Sequence, residues 1–289
     1  MTKNHFHKAE WRLSAIQLNS KPEPEHNFQQ VTHCLAQLPK AEQHLVLLPE
    51  CFAVFGGAEG LQRQHQEPLG LGPLQQRPLQ QRCAELARQY GVYLLAGSMP
   101  TCTADPTRFA ASSLLFGPDG QLLADYQKLH LFDVELTDST GSYRESASTQ
   151  AGTKLSLYQQ HSLKLGLAIC YDVRFAGMMQ ALAQQGMNIL SVPSAFTALT
   201  GEAHWHSLLR ARAIENQCFV LAANQTGQHA NGRQTYGHSL IIDPWGRVLA
   251  DAGTEPGWIS TVVDLTDCER LAQTMPVKLH NRFNSELKA

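Results

Sequence analysis

The sequence predicts an α/β fold in which mixed β-sheets are covered by helices. Short apolar runs alternate with segments of helical period along almost the whole chain, which is typical of layered α/β proteins. The turn signals Gly117–Gly120 and Asp243–Gly246 each join two apolar runs and predict two antiparallel hairpins. No linker, low-complexity tract or internal repeat divides the sequence, so we expect one domain over residues 1–289.

The elements follow one another in a regular order. Residues 45–48 are all apolar, as in a buried strand, and Pro49 stops them, whereas residues 27–38 have the spacing of an amphipathic helix. The predicted strands are 11–18, 45–48, 92–97, 110–116, 121–126, 163–169, 188–192, 218–222, 237–242, 247–249 and 258–263. The predicted helices are 27–38, 74–90, 175–185 and 203–216. The core is expected to span about 11–265, followed by an irregular C-terminal arm of about 266–289.

Composition excludes several classes of protein. A chain of 289 residues with 43% hydrophobic and 17% charged residues can bury a large core and is not expected to be disordered. The formal net charge is -2 without any run of Lys or Arg, so we expect neither nucleic acid nor a membrane as a partner. No apolar stretch reaches the roughly 18 residues of a membrane helix. Residues 1–11 lack the apolar segment of a secretory signal, so a cytoplasmic location is expected.

The cysteines and histidines do not form a known metal or disulfide pattern. The seven cysteines are scattered and never occur as CxxC, so reduced thiols are expected. The pairs His5/His7 and His204/His206 have HxH spacing, but no third ligand is spaced nearby. We therefore expect solvated or capping histidines, with no metal and no cofactor.

Three polar residues follow three predicted strands. Glu50 comes after 45–48, Lys128 after 121–126, and Cys170 at the end of 163–169. Ligands of α/β proteins bind beyond the carboxyl ends of strands, so these side chains can converge although they are far apart in sequence.

Each of the three has both a chemical and a structural interpretation. A sharp turn from strand to helix at Cys170 would expose a nucleophile, direct backbone N–H groups at an oxyanion and, with a nearby ammonium group, favour the thiolate. Burial would raise the pKa of Glu50 towards that of a general base, and Lys128 would supply a cation to the oxyanion. The alternatives are a buried structural cysteine, a solvated loop carboxylate and a surface lysine.

The segments around these residues resemble the nitrilase superfamily of carbon–nitrogen hydrolases. The three signature segments are Leu48–Glu50, Tyr126–Leu131 and Gly166–Phe175, in that order, and the likeness extends over most of the chain. One departure is Ala176-Gly177, where the family commonly has Pro-Glu.

The resemblance implies a fold, a mechanism and a set of roles. The fold is a four-layer αββα sandwich, which is normally dimerised, so we expect a homodimer or larger oligomer. Glu50 would be the general base, Lys128 and the backbone N–H of Tyr171 would stabilise the oxyanion, and Cys170 would be the nucleophile. Glu145, upstream of Gly152, resembles the second glutamate that positions the lysine, with a plain loop carboxylate as the alternative.

Within the superfamily, the segments 194–217 and 236–239 resemble the branch of deaminated glutathione amidases. The implied reaction is hydrolysis of a small-molecule amide to 2-oxoglutarate and cysteinylglycine. The alternatives are the ω-amidase branch, acting on 2-oxoglutaramate, and a catalytically idle binding or scaffold protein or a histidine-based metal binder. The expected substrate contacts are Arg174, Ser194, Phe196 and Thr197, with Arg210 or Arg212 as further candidate cations. Arg174 has a structural alternative as an ion-pair partner of the Asp172 loop.

Overall fold

Two six-stranded sheets face each other, and helices cover their outer surfaces. The computed structural model describes residues 8–58, 60–70, 76–138 and 141–288. Its strands are β1 (Glu10–Gln17), β2 (His44–Leu47), β3 (Tyr93–Cys102), β4 (Phe109–Phe116), β5 (Leu122–Gln127), β6 (Asp133–Glu135), β7 (Ser142–Arg144), β8 (Leu157–Gln160), β9 (Leu163–Leu167), β10 (Ile189–Ser194), β11 (Phe219–Asn224), β12 (Thr226–Gln228), β13 (Gln234–Tyr236), β14 (Leu240–Ile242), β15 (Val248–Asp251) and β16 (Gly257–Asp264). Its α-helices are α1 (Pro24–Gln37), α2 (Leu61–Gln64), α3 (Pro78–Tyr90), α4 (Ala176–Gln184), α5 (Ala198–Asn216), α6 (Thr266–Thr274) and α7 (Val277–His280).

Both sheets are mixed. The first has the strand order β16-β1-β2-β3-β4-β5 and the second β15-β14-β11-β10-β9-β8. Within them β1–β2–β3 and β9–β10–β11 pair in parallel, and the predicted hairpins form the antiparallel pairs β4–β5 and β14–β15. The prediction of mixed sheets flanked by helices is confirmed.

Side chains of each central strand point alternately to the two faces of its sheet, and the two sets belong to different apolar layers. In β2, Leu45 and Leu47 join the apolar cluster that contains the second sheet and α4 and α5. Val46 and the following Leu48 join the other cluster, with side chains of α1 and α3. Because successive strand residues point to opposite faces, a fully apolar strand such as this one must be covered on both sides.

No described helix is long and apolar enough to cross a membrane.

Several predicted boundaries were wrong. The helix predicted over 74–90 begins at Pro78 among the described residues, and residues 74 and 75 lie outside them, as do His5 and His7. Helix α5 begins five residues before the predicted start, because the Thr197 hydroxyl accepts the Thr200 N–H and caps it. The expected irregular arm is helical over α6 and α7, and α6 begins with two acidic residues in its first turn, which favour a helix start.

Candidate active site

The ends of strands from both sheets meet at a cavity of about 330 Å³. Glu50 follows β2, Lys128 follows β5 and Cys170 follows β9, and all three line the cavity together with Glu145, which follows β7. The structure thus brings the four predicted catalytic residues into one site, although 120 positions separate Glu50 from Cys170 (170 − 50).

Lys128 is held between two carboxylates. Its Nζ lies 2.8 Å from Glu50 Oε1 and 2.9 Å from each carboxylate oxygen of Glu145. The side chain is only 2% exposed. Burial alone would lower the pKa of Lys128, but the charges of Glu145 and Glu50 outweigh burial and raise that pKa well above its usual value. Lys128 is therefore a fixed ammonium group at the floor of the cavity.

Glu50 is an ionised carboxylate with both oxygens engaged. Its second oxygen accepts the Ala195 N–H at 2.8 Å. Burial by itself would raise the pKa of Glu50, but the charge and hydrogen bond of Lys128 outweigh burial and keep that pKa below its usual value. The predicted upward shift is wrong because the prediction considered burial and not the opposing charge of Lys128 at 2.8 Å.

The pKa of Glu145 is shifted in the opposite direction to that of Glu50. Burial and the nearby charge of Glu50 raise the pKa of Glu145, although Lys128 opposes the shift. One Glu145 oxygen also accepts the Phe132 N–H at 2.6 Å. This second bond fixes the carboxylate, and through it the position of the Lys128 ammonium group.

Cys170 begins a five-residue 3-10 helix (Cys170–Arg174) directly after the extended Ile169. Its φ of +48° lies in the left-handed region, which L side chains rarely adopt. Burial and the Glu50 charge raise the pKa of the Cys170 thiol well above its usual value, so the expectation of a stabilised thiolate is wrong. The resting group is therefore a thiol, and Glu50 and Cys170 each affect the pKa of the other.

Asp172 fastens the Cys170 turn to the end of β5. Its fully buried carboxylate accepts the Ile169 N–H at 2.8 Å, the Tyr126 hydroxyl at 2.7 Å and the His130 N–H at 3.1 Å. Since Tyr126 and His130 flank Lys128, one carboxylate positions both the Cys170 turn and the strand end that carries Lys128. No motif in the sequence pointed to this network, because its partners come from two separate segments.

The family is shown by comparison with known sequences. The sequence profile of carbon–nitrogen hydrolases matches residues 12–273. The chain belongs to the carbon–nitrogen hydrolase family. It is 42% identical, over 95% of this chain and 94% of the other, to a protein of Yersinia enterocolitica named deaminated glutathione amidase. It is 32% identical, over 96% of each chain, to a protein of Xenopus tropicalis named omega-amidase.

A solved structure agrees with the fold. The nitrilase and fragile histidine triad fusion protein of Caenorhabditis elegans superposes with a TM-score of 0.85 at 35% identity. The superposition covers 96% of this chain and 66% of the worm protein, so this carbon–nitrogen hydrolase spans about two thirds of that fusion protein. The predicted superfamily and its αββα architecture are confirmed.

Three of the predicted substrate contacts lie in the cavity wall of this carbon–nitrogen hydrolase. Arg174, Phe196 and Thr197 line it. The guanidinium carbon of Arg174 lies 5.2 Å from the centre of the Phe196 ring, and Nη1 is 3.3 Å from His204 Nδ1. The alternative role of Arg174 as an ion-pair partner of the Asp172 loop is not what the structure shows, since Asp172 is bound by Tyr126 and His130.

The other predicted contacts lie outside the cavity. Ser194 is fully buried, and its hydroxyl donates to Val192 O at 3.4 Å rather than facing the cavity. Arg210 Nε donates to Gly246 O, and the buried Arg212 donates to Val173 O and pairs with Glu215. The structure thus places these three residues outside the cavity wall, because a position in the sequence does not by itself indicate which side of a helix or strand end faces the cavity.

The cation that the prediction missed is Arg233, from the connection between β12 and β13. It lines the cavity and its Nη2 donates to Ala195 O at 2.9 Å. The guanidinium lies over the rings of Phe55 and Tyr143, 5.2 and 5.1 Å from their centres. Its Nε is buried without a hydrogen-bond partner among the described residues. Arg144, beside Glu145, lines the same cavity.

Proposed function

We propose that this carbon–nitrogen hydrolase is a cysteine-dependent amidase that cleaves deaminated glutathione to 2-oxoglutarate and cysteinylglycine. The observation that carries the proposal is the buried Glu50–Lys128–Cys170 group at the floor of a cavity whose wall includes arginines. A base, a fixed cation and a thiol are the three parts that acyl transfer requires.

The first half of the reaction forms a thioester. Glu50 takes the proton from Cys170 Sγ as the sulfur attacks the amide carbonyl carbon, and the carbonyl electron pair moves onto oxygen. The oxyanion is stabilised by Lys128 Nζ and by the Tyr171 N–H, which stands in the first turn of the 3-10 helix, where N–H groups have no intrahelical acceptor. The C–N bond then breaks, and protonated Glu50 gives its proton to the leaving amine.

The second half consumes one water molecule. Glu50 removes a proton from water as the oxygen attacks the thioester carbon, and the same donors hold the oxyanion. The C–S bond breaks, 2-oxoglutarate is released, and the proton on Glu50 returns to the Cys170 sulfur. Glu145 acts as a positioning residue throughout, since it contacts Lys128 Nζ with both oxygens.

The cavity wall suits an anionic substrate. Deaminated glutathione has a carboxylate at each end of the molecule, and Arg174 and Arg233 are separate cations on the cavity wall. Planar guanidinium groups bind carboxylates through two directed hydrogen bonds, which gives both strength and orientation. The Nε of Arg233, buried without a protein partner among the described residues, supports a ligand contact at this position.

The alternative substrate is 2-oxoglutaramate, which has the same acyl group but loses only ammonia. The 32% identity to a protein named omega-amidase supports 2-oxoglutaramate as the alternative substrate. The 42% identity to a protein named deaminated glutathione amidase favours the larger substrate. Intact glutathione is expected to be a poor substrate because its 2-amino group is charged.

A side-by-side measurement of kcat/KM for the three compounds tests this choice. We expect deaminated glutathione to exceed 2-oxoglutaramate at least tenfold, a difference of about 1.4 kcal/mol that contacts to cysteinylglycine can supply. A clear preference for 2-oxoglutaramate would assign the protein as an ω-amidase with the same catalytic residues.

We also propose a setting for the reaction. Hydrolysis of deaminated glutathione returns two ordinary metabolites, so the activity would serve metabolite repair. All seven cysteines are free thiols, which is in keeping with a reducing, cytoplasmic environment. A homodimer would cover the apolar side chains Leu199 and Ile214, which α5 leaves exposed.

A further inference from the structure

Two histidines and an aspartate meet on the surface, outside the residues that line the cavity. His206 lies on α5, His238 two residues before β14, and Asp251 at the end of β15. His206 Nε2 is 3.2 Å from Asp251 Oδ2, and His238 Nδ1 is 3.0 Å from Asp251 Oδ1. One potential ligand atom from each residue lies within 4.8 Å of the other two. The cluster therefore joins helix α5 to the strands β14 and β15 of the second sheet.

The surrounding contacts fix this His206–His238–Asp251 cluster. The Tyr236 ring stacks on His238 at 4.6 Å between centres, and Trp205 Nε1 donates to His238 O at 2.7 Å. Asp251 Oδ1 also accepts the Gly253 N–H at 2.8 Å. The three side chains remain 24–35% exposed, so an ion can reach them from solvent.

We propose that His206, His238 and Asp251 bind a divalent transition-metal ion of the zinc type. Two imidazole nitrogens and a carboxylate oxygen form a donor set that suits Zn²⁺, Co²⁺ or Ni²⁺, whereas Mg²⁺ and Ca²⁺ require mainly oxygen ligands. Zinc binds nitrogen and oxygen at about 2.0–2.2 Å, so two ligands of a tetrahedral ion lie roughly 3.3 Å apart. The observed N···O separations of 3.0 and 3.2 Å are close to that value.

The ion would replace the two His–Asp contacts and leave a coordination position for water. It would link α5 to the β14–β15 hairpin. The HxH spacing seen in the sequence is not the site, because His204 faces the other way and contacts Arg174. Residues two apart on a helix lie on different sides of it, and the other two ligands come from distant parts of the chain.

Calorimetric titration of metal-free protein with ZnCl₂ tests the proposal. The variants are His206→Gln, His238→Asn and Asp251→Asn; asparagine is chosen because His238 has a φ of +52°, which asparagine tolerates. The control is His33→Gln, a change at an exposed histidine that is hydrogen-bonded to Gln37 on the same helix. Circular dichroism checks that each variant is folded, and three independent variants protect the test against the failure of one.

We expect one site per chain whose affinity falls at least tenfold in each of the three variants and is unchanged in the control. Cobalt bound at this site should give visible absorption bands without the near-ultraviolet band of a thiolate ligand, and MgCl₂ should give no comparable heat. Equal zinc affinity in all five proteins, or loss of the site only when cysteines are alkylated, would overturn the proposal.

Discussion

Lys128 is the residue on which the proposed oxyanion site depends. Replacing it with methionine removes a cation that interacts mainly with charge developed in the transition state, so kcat should fall by several hundredfold with little change in KM. Loss of one oxyanion donor costs about 3–4 kcal/mol in known cases. Steady-state kinetics of Lys128→Met check this. An unchanged kcat with a raised KM would instead make Lys128 a clamp for a substrate carboxylate.

His44 gives a prediction about pH and stability. It is buried in β2 with Nε2 2.8 Å from Ser14 Oγ, and burial followed by the charge of Arg12 lowers the pKa of His44 to about 4. The unfolded chain therefore binds a proton between about pH 6.5 and pH 4 that the folded protein excludes. The free energy of unfolding should fall as the pH drops through this window.

Substitution His44→Gln should reduce that dependence while keeping a hydrogen-bonding side chain next to Ser14. Urea unfolding at pH 7 and pH 5 measures it, with the exposed His33→Gln as the control. Some dependence should remain, because burial also lowers the pKa of His229 to about 4. An identical loss of stability in wild type and His44→Gln would contradict the assignment of His44 as a buried neutral group.

At the scale of elements, the end of β5 is held by a close backbone approach. Gly152 N donates to Lys128 O at 2.8 Å, and a Cβ at Gly152 would lie 2.2 Å from Gln127 O. Gly152→Ala must therefore displace the strand end that carries Lys128. We expect at least a tenfold loss of kcat and a loss of about 1–3 kcal/mol in stability, measured by kinetics and urea unfolding.

Gly177→Ala is the matched control for this prediction. Gly177 lies in α4, soon after the Cys170 turn, and its added Cβ would meet nothing closer than Ser285 Oγ at 3.7 Å. Alanine favours helix over glycine by up to about 1 kcal/mol, so stability should be equal or higher and activity retained. If both variants behaved alike, the crowding at Gly152 would not be what positions Lys128.

The strands and the residues that end them could be predicted because both depend on local patterns. Apolar runs identified β2, β5 and β9, and their ends located Glu50, Lys128 and Cys170. The short pairs β6–β7 and β12–β13, which lead to Glu145 and Arg233, were missed because strands of three residues carry too little periodicity.

The pKa shifts in the site could not be predicted either, and the reason is different. The pKa shifts of Glu50 and Cys170 are set by contacts between segments far apart in the chain, and no local pattern records them. The Asp172 network has the same origin. The sequence therefore indicated which residue types stand at the strand ends. The distances between these side chains in the folded protein determine their protonation states.

For the whole molecule, exposed apolar side chains predict association. Leu279 and Phe283 at the C-terminal end are 84% and 79% exposed, and the segment containing Phe283 lies along α4, where Gln184 Nε2 donates to Phe283 O. These side chains, and separately the 44% exposed Ile214 on α5, are apolar groups that a second copy can cover. Sedimentation at micromolar concentration should show a dimer or larger species, and Ile214→Asp should weaken it. A single 32.0 kDa species in wild type would contradict the prediction.

The central claim is that the amide is cleaved through a thioester on Cys170. Enzyme turning over deaminated glutathione can be quenched in acid and measured by intact-protein and peptide mass spectrometry. We expect one 2-oxoglutaryl group on the peptide that contains Cys170, and neither this adduct nor turnover in Cys170→Ala. Cys51→Ala is the matched control, since Cys51 also has a positive φ (+55°) and stands next to Glu50, and it should keep both adduct and activity. Hydrolysis by Cys170→Ala, or an acyl group on Cys51, would contradict the account.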